Sequence, residues 1–176
     1  AIELSPDQWF PSVMQALAPA MQGVLYLVYT AGLVFVLRTF ASTIAHRSPV
    51  ATLLVCSVLA GVGLYWLGSL QAGSASVATA FAAATVFGIG KAFLWPTMLG
   101  VTSQRYPRGG ALLLCLMGGA GMLSVAVAMP IMGARIDALG PGAALRMMAI
   151  LAIPLALVFG AMYFHFARSR TPQPAH

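Results

Sequence analysis

Lys91 and Trp95 are the two residues of this chain whose types and spacing could do chemistry. They stand four positions apart in a long apolar run, 78–101, so one face of a helix would carry both side chains. A cation beside an aromatic plane suits the binding of an anion or of a polar solute that contains a ring. In the plainer alternative, Lys91 pairs with an acid in a helix that this chain lacks and fixes structure only, and Trp95 is a packing residue.

The depth of Lys91 makes a partner necessary. The apolar run around it is long enough to cross a bilayer, which takes roughly 20 helical residues, and a lysine at that depth costs about 2.5–3.5 kcal/mol. The acids of the chain are Glu3, Asp7 and Asp137, and all fall at or outside the ends of the apolar runs. We therefore expect Lys91 to meet a substrate, cavity water or a segment that this chain does not contain.

Composition indicates an integral membrane protein. Hydrophobic residues make up 60% of the chain and charged residues 7%, whereas a soluble domain carries about 25% charged residues. The net charge of +6 does not indicate nucleic-acid binding, because the basic residues mark loop ends and are not interleaved with aromatic residues. We predict an all-α polytopic protein whose surroundings are a lipid bilayer, with the bacterial inner membrane as its location.

Five apolar runs predict complete transmembrane helices within a bundle that covers 17–168. Their bounds are about 18–42, 50–70, 77–103, 110–134 and 143–167. Residues 1–16 are too polar for a span and predict the outer end of a truncated helix with an external loop, where Trp9 and Phe10 suit the membrane interface. Residues 169–176 predict a polar tail. Because the chain begins with Ala1 rather than Met, we expect it to be a piece of a longer protein.

Basic loops alternate with neutral loops along the chain. Arg47 lies in the first loop, 43–49, and Arg38 stands shortly before it; two further arginines lie in 104–109, whereas 71–76 has no charge. The positive-inside rule places the basic loops and the C-terminus in the cytoplasm.

The opposite, outer side carries one exception to this charge pattern. Arg146 lies there, at the start of the last span, and could extend its side chain to the interface. Tyr65 and Trp66 close the second span and suit the aromatic belt at a membrane interface.

Several residues predict helix bending or a polar pathway. Pro96 predicts a kink in the third span, because proline removes a backbone hydrogen bond. In the fourth span Gly121 and Pro130 permit close packing or bending. In the first span Gln22, Tyr26 and Tyr29 recur at roughly helical spacing, so they could line a polar pathway, although Tyr26 and Tyr29 suit the interface equally.

Catalytic groups are not apparent in the sequence. It has no serine nucleophile in a tight glycine motif, no cluster of His, Asp and Glu with metal-ligand spacing, and no phosphate-binding loop. Cys56 and Cys115 lie in apolar runs without disulfide or metal spacing. We predict no catalytic residue, no metal and no cofactor, and therefore a protein that is not an enzyme.

Three stretches of the chain resemble the C-terminal half of a major facilitator superfamily transporter. Residues 88–98 and 103–111 are similar to its tenth helix and the inner loop that follows. The stretch from 118–122 through 130–133 is similar to its eleventh helix. The stretch from 36–40 through 45–49 is similar to its eighth helix and the following loop. Residues 1–14 would be the outer end of its seventh helix. The resemblance covers essentially the whole chain, with one departure: His46 stands where the family's inner-loop signature usually has an acid.

This resemblance implies half of a bundle of six plus six helices that moves a solute by alternating access. Lys91 and Trp95 would face the central cavity, with Tyr29 and Met122 as weaker binding candidates, and the N-terminal half would be the missing partner. Gln22, on the polar pathway of the first span, is a further binding candidate. The implied substrate is a small polar metabolite such as a sugar, nucleoside or organic anion. The alternative is a five-span membrane protein that acts as a non-catalytic structural or assembly subunit.

Overall fold

The computed structural model describes residues 4–17, 23–40, 48–70 and 76–168. These residues form eight α-helices and one short 3₁₀ turn, Pro107–Gly109. In chain order the helices are α1 Leu4–Leu17, α2 Gly23–Thr39, α3 Pro49–Ser69, α4 Val77–Ala92, α5 Leu94–Arg105, α6 Gly110–Leu139, α7 Pro141–Ile150 and α8 Ala152–Arg168. The described residues contain no strand, which confirms the all-α prediction.

Four helical stretches are long and apolar enough to cross a membrane, as fits an integral membrane protein. They are Pro49–Ser69, Val77–Arg105, Pro107–Leu139 and Pro141–His165. The predicted first span, 18–42, contains α2, which is apolar but has 17 residues, fewer than the roughly 20 that a span needs. Residues 18–22 and 41–42 of that predicted span, and the predicted tail 169–176, lie outside the described residues.

Helix α3 occupies the centre of the bundle and packs most extensively on α4, α7 and α8. The backbones of α3 and α4 approach closely at two glycines. A Cβ atom on Gly63 would lie 2.5 Å from the backbone nitrogen of Phe87, and one on Gly90 would lie 2.3 Å from that of Ala60. Small residues permit such close packing where lipid supplies no hydrophobic drive between helices. The α3–α4 pair therefore forms a tightly packed frame for the residues at the end of α4.

Helix α1 belongs to the core, contrary to the interface position predicted for Phe10. Phe10 is buried together with Val13 and Met14, and its ring stacks on Phe87 with centroids 6.1 Å apart. Trp9 is partly buried, with its indole ring against Gly133 of α6. The prediction for Phe10 was wrong because the polarity of 1–16 described one face of α1, whereas the opposite face is apolar and packs inward.

Helix α6 is the most exposed of the long helices. In its most apolar 18-residue stretch, only 6% is buried inside the bundle. It continues without interruption through Pro130 to Leu139, five residues beyond the predicted end, 134. A helix that crosses lipid keeps its remaining backbone hydrogen bonds, because exposed backbone groups are costly there. Pro130 is therefore accommodated within a continuous helix.

Candidate functional site

The third predicted span is interrupted at Phe93, between α4 and α5. Pro96 has no N–H group, so the carbonyl oxygen of Ala92, four residues earlier, loses its helical hydrogen bond. The helical pattern resumes where the N–H of Thr97 donates to the carbonyl oxygen of Phe93 at 3.1 Å. This interruption lies about one turn before Pro96, in the region where the sequence predicts a kink. A gating role for Pro96 stays a prediction.

Arg38 supplies the hydrogen bond that Pro96 removes. Its Nε donates to the carbonyl oxygen of Ala92 at 3.0 Å, from the last turn of α2. A carbonyl left without a partner in a membrane-spanning helix costs several kcal/mol, and a charged donor is among the stronger replacements. The sequence singled out Arg38 as an inner-loop residue; in the structure its side chain holds α2 against the broken helix.

Lys91, which directly precedes Ala92, forms an ion pair with Asp7 of α1. The Nζ–Oδ1 distance is 2.5 Å, with 5% of the Lys91 side chain and 27% of the Asp7 side chain exposed. The ammonium group also lies 5.2 Å from the centroid of the Phe87 ring, within the range of a cation–π contact. The expectation that Lys91 must find its partner outside this chain was therefore wrong.

The acid was missed because Asp7 seemed to belong to a polar external segment. A signal for it was present in the sequence. Phe10, Val13 and Met14 follow Asp7 at helical spacing and are all buried, so Asp7 lies three residues before the first residue of an apolar helix face. The packing of that face carries Asp7 to the level of Lys91.

Trp95 packs on Gly121 of α6. A Cβ atom at Gly121 would lie 3.1 Å from Cη2 of the indole ring, so the absence of a side chain there makes room for Trp95. Lys91 and Trp95 thus contact different helices, α1 and α6 respectively, on the two sides of the break at Phe93. The structure gives Gly121 a packing contact, while its predicted role in helix flexing, like that of Pro130, stays a prediction.

Tyr29 joins α2 to α4 away from the break. Its hydroxyl lies 2.8 Å from Oγ1 of Thr85, and its ring meets Phe81 edge-on with centroids 4.9 Å apart. Its neighbour Tyr26 is fully buried and its hydroxyl has no hydrogen-bond partner among the described residues. Gln22, predicted to share the polar pathway with Tyr29, lies outside the described residues.

The remaining predicted residues add little to this arrangement. Arg47 lies outside the part of the chain that the structure describes. Within the described ranges, no group of three or more His, Cys, Asp or Glu side chains is placed to hold a metal ion. The chemistry that the site offers is therefore that of one carboxylate, one ammonium, one guanidinium and an indole ring around an interrupted helix.

No protein family, curated protein or solved structure matches this chain. The geometry around Phe93 is accordingly the basis for proposing a function.

Proposed function

We propose that this chain is the C-terminal part of a secondary transporter of the major facilitator type, which carries a small polar metabolite by alternating access. The observation that carries the proposal is the interrupted helix at Phe93, with an ion pair and an arginine beside the break. Transporters commonly bind their substrates at discontinuous helices near the middle of the membrane. In this proposal the protein lies in a bacterial inner membrane with its C-terminus in the cytoplasm.

The ion pair supports a substrate-binding role through its unequal exposure. Lys91 is almost fully buried, whereas Asp7 keeps about a quarter of its side chain exposed. An organic anion would bind by competing with the carboxylate of Asp7 for the Lys91 ammonium. A sugar or nucleoside would instead donate its hydroxyl groups to Asp7 and leave the pair intact. Charged residues within a membrane are energetically costly, and they commonly mark substrate or ion pathways.

The neighbours of the break suggest how binding could be linked to helix movement. Arg38 attaches α2 to Ala92, and Trp95 rests on Gly121 of α6. A solute that stacks on Trp95 would have to displace the indole ring from Gly121, which requires α5 and α6 to separate. Bending of α6 near Gly121 and Pro130 would provide that separation.

Transport by the intact gene product that contains this chain tests the proposal. The purified protein would be screened by thermal shift against hexoses, nucleosides and dicarboxylates, and solutes that stabilise it would be measured for radiolabelled uptake into proteoliposomes. We expect saturable uptake of at least one solute class, abolished or altered in Lys91→Ala and unchanged in Arg135→Ala, a matched loss of one charge from an exposed position of α6.

Two results would count against this function. Uptake no higher than in protein-free liposomes across all three solute classes would remove the transport role. Unchanged uptake kinetics in a well-folded Lys91→Ala protein would keep transport but remove Lys91 from the binding site.

A structural or assembly subunit is the second candidate, and two observations favour it. Lys91 is satisfied by Asp7 within the chain, so no substrate is needed to balance its charge. Helix α6 presents a long apolar surface that the bundle leaves uncovered, which a neighbouring subunit could cover as well as lipid. Absence of flux together with a stable stoichiometric complex in mild detergent would favour this alternative.

A further inference from the structure

A groove of about 700 Å³ lies between α3 and the α7–α8 pair. The two sides run antiparallel, because Gly68 approaches Gly142, Gly61 approaches Ala152, and Leu54 approaches Gly160. Apolar side chains form nearly all of the lining, which includes Val58, Val62, Ile150, Ile153 and Leu157. The groove thus extends along the helices rather than across them.

The charged and aromatic polar groups of this groove lie at one end, whereas Ser57 near the other end donates its hydroxyl to the carbonyl oxygen of Leu54. Arg146 and Tyr65 belong to its lining, and the antiparallel pairing places them at the same level. The aliphatic stem of Arg146 lies over Gly68, where a Cβ atom would come within 2.8 Å of Cγ. Arg146 is exposed and has no ion-pair or hydrogen-bond partner among the described residues.

The level of Arg146 corresponds to a membrane interface. It lies about 7 Å along the helix from Pro141, at about 1.5 Å per residue. Tyr65 and Trp66, at the same end of α3, are exposed, as aromatic belt residues are at headgroup depth. From Tyr65 to Leu54 the groove follows α3 for about 16 Å, close to half of a hydrocarbon core of about 30 Å.

We propose that this groove binds an anionic phospholipid, with its phosphate on Arg146 and one acyl chain along the apolar lining. The charge of Arg146 complements the phosphate, and the length of the groove suits a chain that reaches the middle of the bilayer. An arginine side chain binds phosphate oxygens through charge-assisted hydrogen bonds. A second groove of about 690 Å³, between α6 and α7, is apolar and has no charged residue in its lining, so it offers no headgroup contact.

Native mass spectrometry of the intact protein tests this proposal. The protein in detergent would be mixed with phosphatidylglycerol or phosphatidylcholine of identical acyl chains. The measured quantity would be the relative abundance of the protein with one bound lipid, the first lipid adduct. We expect about a fivefold preference for phosphatidylglycerol, the factor associated with one basic group at an anionic surface. Arg146→Gln should reduce the preference to about one, whereas Arg146→Lys and the control Arg135→Gln should retain it.

A second variant addresses the acyl chain and does not depend on Arg146. Val58→Trp should fill the apolar part of the groove and reduce the first adduct of both lipids. Glycerol phosphate in solution should not compete, because it lacks the chain that the groove would hold. The proposal is overturned by a wild-type protein without lipid preference, by a preference that survives Arg146→Gln, by adducts unchanged in Val58→Trp, or by displacement with glycerol phosphate.

Discussion

The ion pair between Asp7 and Lys91 predicts an asymmetric response to its two single substitutions. Asp7→Asn leaves a charged Lys91 whose side chain is 5% exposed, and an uncompensated buried charge costs about 3–5 kcal/mol. Lys91→Met leaves Asp7, which is 27% exposed and keeps part of its solvation, so the free energy of unfolding should fall by a smaller amount, about 1–3 kcal/mol.

The double variant should recover most of the lost stability. Replacing both members of a buried ion pair by hydrophobic residues of similar volume is often neutral or even stabilising, and an asparagine at the partly exposed position 7 keeps part of its solvation. We therefore expect Asp7→Asn with Lys91→Met to lie within about 1 kcal/mol of the wild-type protein. The pair would then show strong non-additivity in a double-mutant cycle, as residues in direct contact do.

Unfolding with sodium dodecyl sulfate in mixed micelles, followed by far-ultraviolet circular dichroism, would measure these free energies. Asp137→Asn is the matched control, because Asp137 is an exposed acid near the end of α6 and its loss should change the free energy by no more than about 0.5 kcal/mol. Additive single substitutions, or equal costs for the two, would refute the reasoning from burial.

Two further predictions concern the contacts on either side of the break. Arg38→Gln should cost about 1.5–3 kcal/mol of unfolding free energy, because it removes a charged hydrogen-bond donor. In a Pro96→Ala background, which restores the helical N–H, the same change should cost clearly less. Equal costs in both backgrounds would contradict the pairing of Arg38 with the carbonyl of Ala92. Gly121→Val should displace Trp95 and cost about 1–3 kcal/mol through overpacking, with a shift in tryptophan fluorescence emission. Gly118→Val is its control, since a Cβ atom there meets nothing within 4 Å, and an equal effect of the two glycine substitutions would show that Trp95 does not rest on Gly121.

Local features of the sequence predicted the helical elements well. The apolar run 50–70 corresponds to α3, Pro49–Ser69, and the run that begins at 77 corresponds to α4, which begins at Val77. Such boundaries are local, because prolines, glycines and the ends of apolar runs act within one or two helical turns. The interruption near Pro96 was predictable for the same reason, since the lost hydrogen bond follows from the chemistry of one residue.

Lengths of individual helices were less well predicted. α6 extends to Leu139 rather than 134, and the last span consists of α7 and α8, with Leu151 between them. Hydropathy alone does not show where a helix ends when the flanking residues, here Ala134 to Leu139, are themselves compatible with a helix. Propensity of that kind is a weak signal and packing decides between the outcomes.

The sequence by itself determined that the chain is a set of apolar helices, that one of them is broken near Pro96, and that Lys91 needs a partner at membrane depth. Only the tertiary structure decided which groups meet at the break. Asp7 lies 84 residues before Lys91, and Arg38 lies 54 residues before Ala92. The physical reason is that hydropathy and helix period act over a few residues, whereas these contacts depend on how α1 and α2 pack against the end of α4.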